Sequence, residues 1–406
     1  MPSQLPELLC PAGNPEKLQT ALTYGADAVY LGGPDLNLRS RNRGFSNLDQ
    51  VIRAVKTAHA HETAVYFCLN ILAGEKHLSE ARRTLERLRD NPPDALIIAD
   101  PGILRMARKI CPRIPIHLST QANTANSAAI DFWQENGVRR INLAREMTLR
   151  DIKDCLGHSA DMEMEIFVHG AMCMAISGRC LLSSYLNRRS ANLGGCTHPC
   201  RFEYRPRLML EEKQRPGKDT WILEEDDDFS HLLAAEDLCL VKYLPWFKKN
   251  RITSLKIEGR MKSVAYLAQV TDVYRTALND IRNDDFRPGK YLDDLQKTAT
   301  RPLSSGFFLP RRKTFIHPDY QESRGIVARI TAKIGPGIWR VQAKARWPLD
   351  IDLKLLLPGL QRPLLDKNDY GLENERGEKI STAHPGMDII FRSSHPSLRP
   401  GIILCR

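Results

Sequence analysis

With 406 residues, 42% of them hydrophobic and 26% charged, the chain can build a large core, which excludes wholesale disorder and suggests two or three units unless one α/β barrel takes up about 250 residues. Lys and Arg outnumber Asp and Glu by 59 to 48, a net charge of +11, which favours a polyanionic partner such as nucleic acid. No run approaches the ~18 uninterrupted apolar residues of a membrane span, and the opening MPSQLPELLCPAG lacks the pattern of a secretory signal, so a cytoplasmic protein without a membrane partner is expected.

The first 260 residues alternate short apolar strands with longer helical stretches. Strands are predicted at 7–10, 28–31, 64–69, 95–99, 114–118, 141–144, 165–168 and 254–257. Each is apolar on both faces, as parallel strands buried under helices are. Helices are predicted at 14–24, 48–61, 77–89 and 127–136, with Asn14 as a cap, Pro15 in the first turn, and Gly25, Gly137 and Gly157 where helices should end. Eight strands alternating with helices over about 250 residues is the count of a closed (β/α)8 barrel. A doubly wound open sheet is the alternative, weakened because no GxGxxG follows the first strand.

This rhythm assigns residues 1–282 to a TIM-like barrel domain, interrupted at 170–253 by a cysteine-rich insertion too long for an ordinary strand–helix loop. The insertion also holds a basic cluster (Arg188, Arg189, Arg201, Arg205, Arg207) and an acidic run at 224–228, read as a solvated loop. After a helix at 264–281, the Pro- and charge-bearing stretch 283–310 reads as a linker. Residues 311–406 show period-two stretches such as 338–343 and 350–355 between Gly/Pro turns, which predicts a small C-terminal antiparallel β-barrel or sandwich. That segment holds 17 Lys and Arg against 10 Asp and Glu.

Ten cysteines in a reducing compartment should be buried thiols, metal ligands or catalysts, not a disulfide framework. Cys10, Cys68, Cys111, Cys155 and Cys405 are scattered and read as small buried hydrophobes. Cys173, Cys180, Cys196, Cys200 and Cys239 follow the seventh strand, where a barrel keeps its active site. Their spacing suits a [4Fe–4S] cluster, with structural zinc and a nucleophilic cysteine as open alternatives.

The stretch 165–183 resembles the signature of the peptidase U32, or collagenase-like protease, family. It matches at Glu165, Phe167, Gly170, Ala171, Cys173, Gly178, Cys180 and Ser183, and LLCPAG, HLSTQANTAN, CTHPCRFEY and SLKIEGRMKS extend the likeness to about residue 280. Members of similar length hydroxylate the tRNA wobble uridine to 5-hydroxyuridine with prephenate as a requirement; others act on a ribosomal RNA cytidine or, without O2, on quinone precursors. The resemblance therefore implies an O2-independent tRNA hydroxylase with prephenate as co-substrate. It also implies a [4Fe–4S] cluster on Cys173, Cys180, Cys196 and Cys239, with Cys200 as the alternative ligand. A peptidase is the second reading, although no GxSxG or HExxH is present, and hydroxylation of rRNA or a quinone precursor is a third. A partner chain or homo-oligomer stays open.

Polar residues at predicted strand ends complete the expected site. His117, Gln121 and Asn123 follow the fifth strand, Arg145 the sixth, and Lys256, Glu258 and Arg260 surround the end of the eighth. Arg145 and Arg260 suit the two carboxylates of prephenate. His169, Glu165 and Glu258 are the candidate catalytic groups, with His169 or Glu258 taking the proton from C5. The RSRNR stretch at 39–43 could meet phosphates.

Overall fold

The computed structural model describes residues 5–38, 44–158, 161–172, 175–176, 180, 182–201, 236–309, 314–316 and 325–406. Cys173, residues 39–43, Arg205, Arg207 and the acidic run at 224–228 lie outside the described residues.

Eight parallel strands close into a barrel. They are β1 (Glu7–Pro11), β2 (Ala28–Leu31), β3 (Ala64–Leu69), β4 (Ala95–Ile98), β5 (Ile116–Leu118), β6 (Arg140–Asn142), β7 (Glu163–Ala171) and, after β8 (Asp237–Cys239), β9 (Ser254–Ile257). Strand β9 pairs with both β7 and β1, which completes the ring and rules out the open sheet. Their helices are α1 (Pro15–Thr23), α2 (Leu48–His59), α3 (Leu78–Asp90), α4 (Pro101–Ile110), α5 (Ser127–Glu135) and α6 (Leu149–His158). Asn14, Asn47, Asp100 and Asn126 cap α1, α2, α4 and α5 through side-chain oxygens. Gly25 and Gly137 end helices at positive φ, whereas Gly157 sits inside the last turn of α6.

Most apolar side chains fill the shell between strands and helices. A separate apolar set, including Tyr30, Tyr66, Cys68 and Ile97, fills the barrel interior. The remaining interior is charged. Arg140 bridges Glu7 at 2.7 Å and Glu163 at 2.8 Å, and Lys256 pairs with Glu165 at 2.6 Å.

The insertion contributes α7 (Leu182–Asn187), the antiparallel β8 beside β7, and α8 (Leu244–Lys249). After α9 (Val264–Arg282), the stretch expected to be a linker forms α10 (Pro288–Gln296) and β10 (Leu303–Ser304). Proline at the first helical turn starts α10 instead of breaking it, and Tyr291 and Leu295 bury against the barrel. Strand β10 pairs with β8, and β11 (Thr314–Ile316) with β10, so this stretch extends the barrel's own sheet.

Residues 326–405 form a separate antiparallel sheet of seven strands, from 364–365 at one edge to 371–373 at the other. All seven contribute to one core around Trp347, Tyr370 and Phe391. This sheet is docked on the barrel. Asp272, 1% exposed on α9, accepts Gly359 N and Arg362 Nη2 at 2.7 Å each, and Arg362 also reaches Asp294 at 2.8 Å. Among the described residues no helix is long and apolar enough to cross a membrane.

Candidate functional site

A cavity of about 470 Å³ opens at the C-terminal ends of the barrel strands, the face where such barrels place their chemistry. Tyr30, Cys68 and Ile97 from β2, β3 and β4, with Asn142, Phe167 and Lys256 from β6, β7 and β9, line its inner part. Gln121, Arg145, Glu258, Arg260 and Lys262 line it from the following loops, and Cys180, Cys196 and Cys200 from the insertion. Residues distant in sequence thus converge because each occupies the end of a neighbouring strand or the loop after it.

Cations dominate this wall. Lys256 Nζ lies 4.6 Å from the centre of the Tyr30 ring and 5.4 Å from that of Phe167. Arg145 stacks on the other aromatic handle, its guanidinium carbon 4.0 Å from the Phe167 ring centre, and donates from Nη1 to Ala171 O at 3.0 Å. Arg260 donates from Nη1 to Asn37 Oδ1 at 3.2 Å. Stacking on Phe167 and the bond to Ala171 O hold the Arg145 fork, and the bond to Asn37 holds that of Arg260, while leaving donors for an anion. Glu165 does not reach the cavity wall: only 2% exposed, it sits behind, accepting from Lys256 Nζ and from Asn142 Nδ2 at 2.8 Å. It holds the Lys256 ammonium and the Asn142 amide in place.

Two histidines expected at the site are elsewhere. Strand β7 carries a bulge: Phe167 pairs with Lys256, but His169 pairs with Ile257, so Val168 is the extra residue. Simple alternation from Glu165 and Phe167 would aim His169 into the barrel; the bulge reverses the parity. His169 instead packs between Tyr266 and Tyr274 of α9. His117 does face inward but stands below the cavity, edge-on to Tyr66. Asn123 takes a left-handed conformation, φ 54°, and also stays off the wall.

Burial pushes His169 down to about 3 and holds His117 well below the usual histidine range. Both are neutral in the fold, while an unfolded histidine titrates near 6.5. Their contribution to stability is complete above about pH 6.5 and is lost as pH falls towards 3. Stability should therefore drop between pH 6.5 and 5 by up to about 1.4 kcal/mol per pH unit for each group. Thermal unfolding across that window should show a flatter dependence for His169→Gln than for the unmodified chain. Equal slopes would mean that His169 is not buried neutral.

The cysteines divide. Cys180, Cys196 and Cys200 are part-exposed on one cavity wall, and His198 N donates to Cys196 Sγ at 3.4 Å. Among the described residues, no three His, Cys, Asp or Glu side chains already stand together as a metal group. Even so, three thiols opening on one cavity are the soft donor set that iron–sulfur clusters take. Cys239 contrasts with them: it is 1% exposed, bonded to the Tyr274 hydroxyl, and burial pushes its thiol up to about 11. It points with His169 towards α9, away from the cavity. Ser183 is fully buried, its Oγ accepting Thr197 N at 3.1 Å, and so ties α7 to the loop carrying Cys196.

The residue pattern marks Cys68 as plain core and gives Asn142 no role, yet both line the cavity. The available signal is Asn142 at the same parity as Arg140 on β6, a polar pair that a fully apolar strand would not show.

The family model described as peptidase family U32 matches residues 13–316. A protein named tRNA hydroxylation protein P from Escherichia coli is 35% identical, covering 94% of this chain and 92% of its own. Its namesake in Helicobacter pylori is 39% identical over 75% and 72% of the two chains. A 23S rRNA 5-hydroxycytidine synthase of Escherichia coli is 32% identical over 77% of this chain but 44% of its own length. Likeness of this extent, carried by the barrel and its insertion together, confirms the resemblance read from the signature: the chain belongs to peptidase family U32.

Proposed function

We propose that this chain is an RNA-modifying enzyme that hydroxylates C5 of the wobble uridine of tRNA, without O2, with prephenate as co-substrate and a [4Fe–4S] cluster. The observation that carries the reading is the 35% identity, over nearly the whole of both chains, to a protein named for tRNA hydroxylation. The cavity supports it. It is large enough for a nucleobase beside a small dicarboxylate, and it combines fixed cations, aromatic faces and three thiols. Cys180, Cys196 and Cys200, with Cys173 directly after β7, would hold the cluster, which when bound supplies one-electron redox chemistry at the cavity wall. Cys239 is thereby dropped in favour of Cys200.

Arg145 and Arg260 come from the β6 and β9 ends and would take the two carboxylates of the donor. Lys256 adds charge from below, kept in place by Glu165. With His169 on the far face of β7, Glu258, which lines the cavity, would take the proton from C5. An unpaired anticodon nucleotide can leave its stack and enter such a pocket cheaply. The basic C-terminal sheet would meet tRNA phosphates, and the whole acts in the cytoplasm. The peptidase reading loses support from the same geometry: Ser183 is buried and bonded to Thr197, and His169 lies on the opposite side of the barrel wall.

Nucleoside mass spectrometry of tRNA from a strain lacking this chain tests the reading. Wobble 5-hydroxyuridine and its derivatives should vanish and return with the wild-type gene; unchanged levels would refute it. Arg145→Lys should restore less than a tenth of the modification, because an ammonium cannot reproduce the guanidinium fork or its stacking, while tRNA affinity stays within about twofold. That affinity should fall steeply with salt through counterion release.

A further inference from the structure

The cavity holds an acceptor that none of the described residues uses. Asn142 is 3% exposed and lines the cavity. Its Nδ2 donates to Glu165 Oε1 at 2.8 Å, and this fixes which way the amide faces, because the carboxylate can only accept. Its Oδ1 is therefore a committed acceptor, yet it is buried without a hydrogen-bond partner among the described residues. Asn70 Oδ1 is in the same state, but its amide meets a serine hydroxyl and could be turned about. Asn142 has no such freedom. Buried polar atoms are almost always paired, so a fixed orphan on a cavity wall marks where a ligand donates. Lys256 Nζ shares the same Glu165 oxygen at 2.6 Å, so a cationic donor stands next to the Asn142 amide, and both residues line the cavity.

We propose that Asn142 is the specificity-determining residue for the base: its Oδ1 accepts the N3–H of a flipped-out uracil, with Lys256 facing the neighbouring carbonyl oxygen. The proposal rests on the uridine reading above and adds the residue that discriminates. The edge of uracil runs acceptor, donor, acceptor, and an acceptor beside a cationic donor complements it. Cytosine has an unprotonated N3 and an amino group, so it sets lone pair against lone pair at Asn142 and, at its amino edge, a donor against the Lys256 ammonium. A pocket that pairs with a substrate N–H rejects an analogue lacking it, since its buried groups are then left unpaired.

The test uses anaerobically purified, cluster-containing protein with prephenate and three anticodon stem–loops that differ only in a wobble uridine, 3-methyluridine or cytidine. Hydroxylation is read by mass spectrometry. The wild-type chain should prefer uridine at least about tenfold over each of the others. Asn142→Ala should cut uridine turnover about tenfold and bring the uridine-to-cytidine ratio towards one, with iron content unchanged. A general packing defect would not move that ratio. Wild-type turnover of 3-methyluridine or cytidine equal to that of uridine overturns the proposal without any variant, and so does Asn142→Ala with discrimination intact. If the wild-type protein modifies none of the loops, the uridine reading itself falls, and this assignment with it.

Discussion

Protein purified anaerobically with Cys180, Cys196 or Cys200 replaced by Ala should lose most of its iron and sulfide, whereas Cys239→Ala should keep both. The contrast follows from where the four thiols point. Three are part-exposed on one cavity wall, where a thiolate can meet iron. The fourth is 1% exposed, enclosed by β7 and α9 and bonded to the Tyr274 hydroxyl. For Cys239 to bind a cluster at the cavity, β8 would have to leave its pairing with His169, Gly170 and Ala171. Iron and sulfide assays on the four variants decide the matter. Iron lost with Cys239→Ala but kept with Cys200→Ala would restore Cys239 as the fourth ligand. Stoichiometric zinc without sulfide would refute a cluster altogether.

Much of the barrel was legible because its strands are short, apolar and framed by strong caps. β2, β3 and β9 begin and end where the residue pattern places them, and Asn14 with Pro15 marks the start of α1 to the residue. What escaped notice lies where side-chain direction matters more than element type. The bulge at Val168 leaves no trace in the composition of EIFVHGA, yet it moves His169 from the inside of the barrel to the outside. Spacing groups Cys239 with the other thiols but says nothing about which face of β8 it occupies. The stretch 283–310 looked like a linker because prolines and charges interrupt it. Its apolar positions, Tyr291, Leu292 and Leu295, recur at helical spacing and bind it to α9. The interior charges were partly readable: Glu163 and Glu165 alternate on β7, as Arg140 and Asn142 do on β6, a pattern that apolar strand ends would not show.

Those interior charges set up the largest expected effect on stability. Lys256→Met should destabilise the protein by about 3 kcal/mol, near the lower end of the 3–5 kcal/mol typical when one partner of a buried pair is removed. The methionine replaces the stem of the lysine well, so little packing is lost. What is lost is the cation beside Glu165, a carboxylate 2% exposed that, among the described residues, would retain only Asn142 as a hydrogen-bond donor, at 2.8 Å. Arg140, 3.9 Å from the other oxygen, offsets part of the cost, which is why the lower figure is expected. For a chain of 406 residues the loss corresponds to a fall in Tm of roughly 3–5 °C. Glu165→Gln in the same chain should recover a good part of it, since the uncompensated charge is then gone and the amide can still bond to Asn142. Activity should not return with stability, because Lys256 lines the cavity while Glu165 only holds it in place. Thermal unfolding of the two single variants and the double variant measures the coupling directly: a double variant no more stable than Lys256→Met would show that the charge of Glu165 is not what the lysine compensates.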